Sequence, residues 1–263
     1  MARPAPPDRV WPWAAAARRG TLQGVLDILA PQPAPPALLV AATAVLALAV
    51  VAVRRAWRLA RNAITIAHEG GHALVAVLTG RRLRGIRVHS DTSGLTLSAG
   101  RPTGPGMVLT LFAGYVTPSL LGLAGAWLLS TGRIRLLLWL GVALLLAMLV
   151  MMRNGYGILA VLATGALVFA VSWYASSDVQ AVFAYAAVWF LLIGGVKPVG
   201  ELQRLRRRGR AVDSDPDQLA RLTRIPGVVW VGLFGLVNVI ALAAGVALLV
   251  EPVGDWVRDL LGR

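Results

Sequence analysis

The chain has 263 residues, of which 57% are hydrophobic and only 14% are charged. Its apolar runs are too long for a soluble core, so the sequence predicts an integral membrane protein that crosses the bilayer several times. It contains no cysteine, which excludes disulfides and thiolate metal sites and leaves His, Asp and Glu as the protein ligands for a metal. The formal charge of +14 is better explained by loops that face anionic lipids than by nucleic acid. We therefore expect a lipid bilayer, and no nucleic acid, among the partners.

The first 36 residues are rich in Pro, Ala and Arg, and we predict a disordered or surface-lying N-terminal arm there. The membrane-embedded domain is expected over residues 37–250, and residues 251–263 are expected to form a C-terminal tail. Abundant Ala, Gly, Val and Arg, with almost no lysine, is a composition typical of a GC-rich bacterial genome. The predicted location is therefore the bacterial inner (plasma) membrane.

Seven apolar stretches are long enough to be predicted as transmembrane helices. We expect an all-α polytopic membrane protein with about seven transmembrane helices and a short β-hairpin after the second one. The predicted spans cover residues 37–53, 62–80, two segments within 107–150, 153–174, 179–196 and 228–250.

The second predicted span contains His68-Glu-Gly-Gly-His72, which is the pattern H-E-x-x-H. Residues four apart lie on the same face of an α-helix, so the two imidazoles can bind one metal ion. Glu69 follows the first histidine directly, so it can remain outside the ligand set and take a proton from a metal-bound water. Because ionisable groups are costly at membrane depth, three of them together favour a functional site over an ordinary core helix. Gly70 and Gly71 would leave room near the metal for a second backbone or a substrate strand.

A protease-type zinc ion needs a third protein ligand, and the fourth position is left for water. The acidic candidates on the predicted cytoplasmic side are Asp215, Asp217 and Glu201, and His89 is a weaker candidate. Asp215 is favoured, although an aspartate followed by proline is also how a helix begins, with the aspartate as N-cap. Asp217 and Glu201 remain alternatives.

The segment 81–100 changes character, because Ile, Val, Thr and Leu alternate there with Gly, Ser and Asp. This pattern predicts two short strands joined by a turn at Ser90–Gly94. Placed directly after the metal motif, such a hairpin could offer its edge to an extended substrate, because strand addition supplies backbone hydrogen bonds. An ordinary connecting hairpin is the alternative.

Arginines decide the predicted orientation. The polar segment 197–227 includes a basic run at 204–210, which the positive-inside rule places in the cytoplasm. Alternation along seven spans then places residues 81–106 in the cytoplasm as well, but it puts the arginines of 54–61 outside. Either the rule fails for that loop, or the metal helix does not cross the bilayer fully.

These motifs together resemble the M50B-like family of membrane metallopeptidases, which is related to the site-2 proteases. The resemblance covers roughly residues 64–234 and rests on His68–His72, Asp91–Thr96, Ala113–Tyr115, Ser214–Asp215 and Trp230. It implies a zinc-dependent intramembrane endopeptidase that acts on a membrane-protein substrate, with His68 and His72 as zinc ligands and Glu69 as general base. It also favours Asp215 as the third ligand. The Leu-Asp-Gly motif that supplies this ligand in most site-2 proteases does not occur in the chain.

A hypothesis from a different class is a metal-binding pseudoprotease that does not cleave and acts as a membrane scaffold or chaperone. The third ligand separates the two hypotheses, because a hydrolytic zinc ion needs it.

Overall fold

The computed structural model describes residues 24 and 26–260. Most of the predicted N-terminal arm therefore lies outside the described residues. The described chain is mostly helical and contains one antiparallel hairpin, which confirms the predicted fold class. In chain order, the helices and strands are α1 (Ala37–Ala52), α2 (Arg54–Leu78), β1 (Arg82–Val88), β2 (Gly94–Ala99), α3 (Pro105–Ser130), α4 (Ile134–Met151), α5 (Gly155–Tyr174), α6 (Ser177–Arg207), α7 (Asp215–Thr223) and α8 (Gly227–Leu260).

Among the described residues, five helices are long and apolar enough to cross a membrane, and these are α3, α4, α5, α6 and α8. Helices α1 and α2 meet at Val53, where the backbone is extended and the chain direction changes by 101°. The pair therefore adds at most one crossing. The described residues therefore contain five or six candidate spans where the sequence predicts about seven, because hydropathy does not reveal the bend between residues 37–53 and residues 62–80.

Near both of its ends, α2 is held by parts of α6 and α3 that lie toward the end of the bundle that carries the β-hairpin, which we call the hairpin end. At the start of α2, Lys197 in the last third of α6 donates a hydrogen bond to the carbonyl of Val51. At its other end, Thr79 packs against Gly106 in the first turn of α3. Helix α2 therefore runs across the bundle instead of through it. The arginine-rich start of α2 therefore lies against the part of α6 that leads to its basic end, with Arg61 3.5 Å from Glu201.

Helices α1, α3, α6 and α8 form the packed centre of the bundle. Half of the apolar window of α6 and 44% of that of α3 are buried, against 17% for α4 and 11% for α5. Small residues permit the close packing of α3 on α6, since a Cβ atom at Gly122 would lie 2.9 Å from the backbone nitrogen of Leu192. The α4–α5 pair lies at the periphery.

The β-hairpin forms where the sequence predicts it, with Val88 opposite Gly94 and Ile86 opposite Thr96. The outer edge of β1 is covered by the α4–α5 connection. Its backbone carbonyl at Ile86 accepts a hydrogen bond from the amide of Arg153, at 2.9 Å. The side-chain amide of Asn154 pairs with both backbone groups of Val88, at 2.7 and 3.2 Å. Within the described residues, β2 therefore provides the open edge of the hairpin.

Helix α6 continues into the polar segment 197–227 as far as Arg207, because Val199 and Leu202 remain buried against α3 and α8. At a rise of 1.5 Å per residue, its 31 residues extend about 46 Å, which exceeds the hydrocarbon thickness of a bilayer. Its last turn carries Arg204, Arg206 and Arg207, so this end is the one expected to extend beyond the hydrocarbon. The backbone of α8 also continues past the predicted boundary at 250, to Leu260.

The transverse course of α2 can be tested with single cysteines, because the chain has none of its own. The exposed positions Arg55, Thr103 and Arg208, each changed to Cys, are expected to react with a membrane-impermeant maleimide from one side of the bilayer. A cysteine at the exposed Ser176 should react from the other side. Labelling of Arg55→Cys from the same side as Ser176→Cys would instead support seven full crossings.

Candidate metal centre

Three side chains converge between α2, α3 and α7. The Nε2 atoms of His68 and His72 lie 3.0 Å apart. The Oδ2 atom of Asp215 lies 3.4 Å from the first and 3.3 Å from the second. Metal–ligand bonds of about 2.0–2.1 Å at tetrahedral angles separate neighbouring ligand atoms by about 3.3 Å. The three distances therefore fit one metal ion with a fourth position open, and the cluster could hold such an ion.

The orientation of His72 is set by the backbone of α3. Its Nδ1 atom lies 2.7 Å from the carbonyl oxygen of Thr110. A carbonyl can only accept, so Nδ1 carries the hydrogen and Nε2 is free to bind a metal. His68 is held by an aromatic contact: its ring meets the face of Tyr115 edge-on, with centroids 4.6 Å apart, and Tyr115 stacks on Phe234. Both histidines are therefore positioned by α3.

Two glycines allow α3 to approach the metal motif this closely. A Cβ atom at Gly114 would lie 2.7 Å from Nε2 of His68 and closer still to Nε2 of His72. A Cβ atom at Gly71 would lie 2.6 Å from Cβ of Thr117. The room expected beside the HEGGH motif is thus taken by a second backbone, that of α3.

Asp215 reaches the histidines from the first residue of α7, a helix of 9 residues. Ser214, not Asp215, occupies the N-cap position, and Pro216 follows in the first turn. The alternative account of Asp215 as a helix N-cap is therefore wrong. Without a metal, burial raises the pKa of the Asp215 carboxyl, but the charge of a protonated His72 and the hydrogen bonds that both imidazoles then donate outweigh it, so the pKa lies below its ordinary value. The group is an anion at neutral pH.

The other candidate ligands have different partners. Asp217 forms an ion pair with Arg206, at 2.5 Å. Glu201 lies 3.5 Å from Arg61 and accepts a hydrogen bond from Nε1 of Trp57 at the start of α2. His89 is in the exposed turn of the hairpin, 3.3 Å from the hydroxyl of Ser93. The structure brings Asp215, and none of these three, to the two histidines.

Glu69 is almost completely buried, with 3% of its surface exposed. Its Oε2 atom accepts a hydrogen bond of 2.6 Å from the hydroxyl of Thr96 in β2. The neighbouring Gly94 leaves room for the carboxylate, since a Cβ atom there would lie 2.5 Å from Cδ of Glu69. The hairpin therefore holds the carboxylate that follows the first histidine.

A cavity of about 610 Å³ opens over the cluster. One wall is β2 and its preceding turn, a second is α3, and the loop before α7 forms a third. Its lining includes the three converging side chains together with Glu69, Thr96 and Tyr115. A peptide that entered the cavity would meet the carboxylate, the candidate metal site and the open strand edge together.

Sequence patterns alone assign no role to several residues that shape this site. Thr96 and Gly114 lie inside the motifs Asp91–Thr96 and Ala113–Tyr115, and Thr110 lies in a predicted span. The spacing of Thr110, Gly114 and Thr117 would have placed small or hydroxylated residues on one helix face. That signal alone does not say which helix they meet.

The fold and the site together define a polytopic membrane protein with a candidate His-His-Asp metal centre in its bundle. Residues 41–245 match the family model described as Peptidase M50B-like, and the chain belongs to this family. This confirms the resemblance seen in the sequence. Metallopeptidases of the M50 group bind a metal, so the family membership indicates a metallopeptidase. Comparison with curated proteins and with solved structures gives no match.

Gly114→Ala is expected to weaken metal binding, because its methyl group would collide with the nitrogen atoms of both histidines. We expect the metal affinity to fall by about tenfold or more, as it does when the groups that orient metal ligands are changed. The measurement is metal content and affinity of the purified protein in detergent. The control is Gly232→Ala in α8, where an added Cβ meets nothing within 4 Å. Equal metal binding by both variants would contradict the close packing of α3.

Proposed function

We propose that the protein is a zinc-dependent intramembrane endopeptidase, which hydrolyses peptide bonds in or near membrane-spanning segments of a membrane-protein substrate. The observation that carries the proposal is the convergence of three donor atoms within 3.4 Å of one another. A buried glutamate follows the first histidine, and the site opens into a cavity that can admit a peptide.

His68, His72 and Asp215 would hold the zinc ion. Two nitrogen ligands and one carboxylate, with a fourth position open, are the usual ligand set of zinc peptidases. The ion would supply Lewis acid chemistry by lowering the pKa of a water molecule and polarising the scissile carbonyl. Thr110 fixes the tautomer of His72 that this role requires.

Glu69 is the general base of the proposed mechanism. Its carboxylate takes a proton from the attacking water and delivers it to the nitrogen of the leaving amine. The hydrogen bond from Thr96 occupies one carboxylate oxygen, Oε2. The other oxygen, Oε1, faces the open hairpin edge at Gly94 and remains available for the proton.

The open edge of β2 supports strand addition as the mode of substrate binding. A membrane helix hides its peptide bonds in its own hydrogen bonds, so the substrate must unwind before it is cleaved. An unwound segment can replace those bonds by pairing with the backbone of β2, which lines the cavity. Because Thr96 of β2 contacts Glu69, a peptide paired there is carried past the catalytic carboxylate.

We further propose that the hairpin end faces the cytoplasm of a bacterial cell, with the protein in the inner membrane. Helix α2 begins with Arg54 and Arg55, and α6 ends with Arg206 and Arg207, all at the hairpin end. The positive-inside rule favours a cytoplasmic position for such loops. The site would then take substrate segments near the cytoplasmic face of the membrane.

The first test is the zinc content of purified protein in detergent. The wild type is expected to contain about one zinc ion per chain. His72→Ala and Asp215→Ala should each lose most of it, because each removes one of three protein ligands. Absence of zinc from the wild type would contradict the proposed function. Loss in His72→Ala alone would remove Asp215 from the ligand set.

The second test is proteolysis in cells. Mass spectrometry of newly formed protein N-termini is compared between cells that express the wild type and cells that express Glu69→Gln. We expect new termini within or next to membrane-spanning segments only with the wild type. Zinc binding without any difference in termini would favour the non-cleaving scaffold or chaperone instead.

Thr96→Val is expected to lower kcat for a substrate identified in this way. A hydrogen bond to a charged group contributes about 1.5–3 kcal/mol, so we expect a loss of roughly tenfold or more. KM and zinc content should stay near the wild-type values, because the change alters neither a metal ligand nor the backbone groups of β2. Thr96→Ser keeps the hydroxyl and should retain most of the activity. A similar kcat for the Val and Ser variants would show that the hydroxyl is not needed.

A further inference from the structure

Three aspartates lie within five residues at the start of α7, and the structure divides them among different partners. Asp213 pairs with Arg221, and both side chains are largely exposed. Asp217 pairs with Arg206 in a partly buried position. Asp215, between them, faces the two histidines. One aspartate therefore reaches the candidate metal centre, while its neighbours are paired with arginines.

The partly buried ion pair belongs to a larger contact, which we call the clamp and define as Ser214, Asp217 and Arg206. One oxygen of Asp217 meets Nη2 of Arg206, at 2.5 Å. The other oxygen accepts a hydrogen bond of 2.5 Å from the hydroxyl of Ser214. Arg206 also packs on Gly227, where a Cβ atom would lie 3.0 Å from its Cζ. The clamp thus joins the end of α6, the first turn of α7 and the start of α8.

Helix α7 is too short to hold its own position, since isolated helices of this length are marginal in water. Its inner face is buried through Pro216 and Leu219. Apolar burial is non-directional, so it fixes the depth of α7 better than its rotation. Hydrogen bonds and ion pairs depend on angle, and the clamp makes its contacts at the residues before and after Asp215.

We infer that the Asp217–Arg206 ion pair is a positioning device, which orients the first turn of α7 so that Asp215 can bind the metal. This inference rests on the proposed zinc site. It gives Asp217, an alternative ligand from the sequence, a role that acts through Asp215. It also makes the affinity for zinc depend on a contact between α6 and α7 outside the ligand set.

The test is the zinc affinity of the full-length protein in detergent, measured by competition with a chromophoric chelator. Asp217→Asn keeps the shape of the side chain but removes its charge, and we expect the affinity to fall by about 10–100-fold. The matched control is Asp213→Asn. It removes the exposed ion pair with Arg221, and position 213 precedes Asp215 by two residues just as position 217 follows it by two. Because exposed ion pairs contribute little, its affinity should change by no more than a few-fold. Asparagine also tolerates the positive φ of 66° at this position.

A charge swap separates positioning from general damage. The double variant Arg206→Asp/Asp217→Arg restores an ion pair of opposite polarity, and we expect it to recover most of the zinc affinity that Asp217→Asn loses. Thermal unfolding of the zinc-free proteins should be similar for the wild type and Asp217→Asn. Wild-type affinity in Asp217→Asn would overturn the inference, and so would a loss that the charge swap does not recover. Failure of the proposed function appears separately, as absence of zinc from the wild type.

Discussion

The close approach of α3 to the metal helix is the constraint on which the site depends. Thr110, Gly114 and Thr117 are spaced four and three residues apart, so they lie on one face of α3. This face accepts the hydrogen bond of His72, makes room for both imidazoles and packs over Gly71. A larger side chain at Gly114 would push α3 away from α2 and separate the histidines from Asp215. The metal centre is therefore a product of helix packing as much as of its ligands.

The transverse position of α2 explains how a polar site can exist inside a largely apolar bundle. Its arginine-rich start lies at the hairpin end, whereas its last turn exposes Leu74, Val77 and Leu78. Gly114, which touches both histidines, is about 14 Å along α3 from its first residue. The site thus lies inside the bundle but is connected to the hairpin end by its cavity. Water can reach it from that end, so its ionisable groups need not be buried in hydrocarbon.

The sequence predicted the parts of the site that are local. The spacing of His68 and His72 fixes their common helix face, and the change of texture after residue 80 predicts the hairpin, because both patterns depend on near neighbours. The bend at Val53 could not be predicted, since a hydropathy window reports apolar length and not direction. The third acidic ligand was left open among three residues, because the choice depends on which arginines pair with the others. Glu201 pairs with Arg61, which is distant in the chain, and Asp217 pairs with Arg206, which lies across a loop.

The two edges of the β-hairpin differ in how their backbone groups are satisfied. Unpaired backbone groups are costly in hydrocarbon, so a membrane protein tolerates an open strand edge only where it faces protein or water. Asn154 and Arg153 satisfy the edge of β1, which faces the α4–α5 connection. The edge of β2 faces the cavity instead, beside Glu69. An extended peptide would satisfy the same backbone groups that water satisfies in its absence, so binding would exchange one set of hydrogen bonds for another. The favourable free energy of substrate binding must then come from side-chain contacts and from the desolvated site. The strand edge therefore determines the register of a bound peptide more than its affinity.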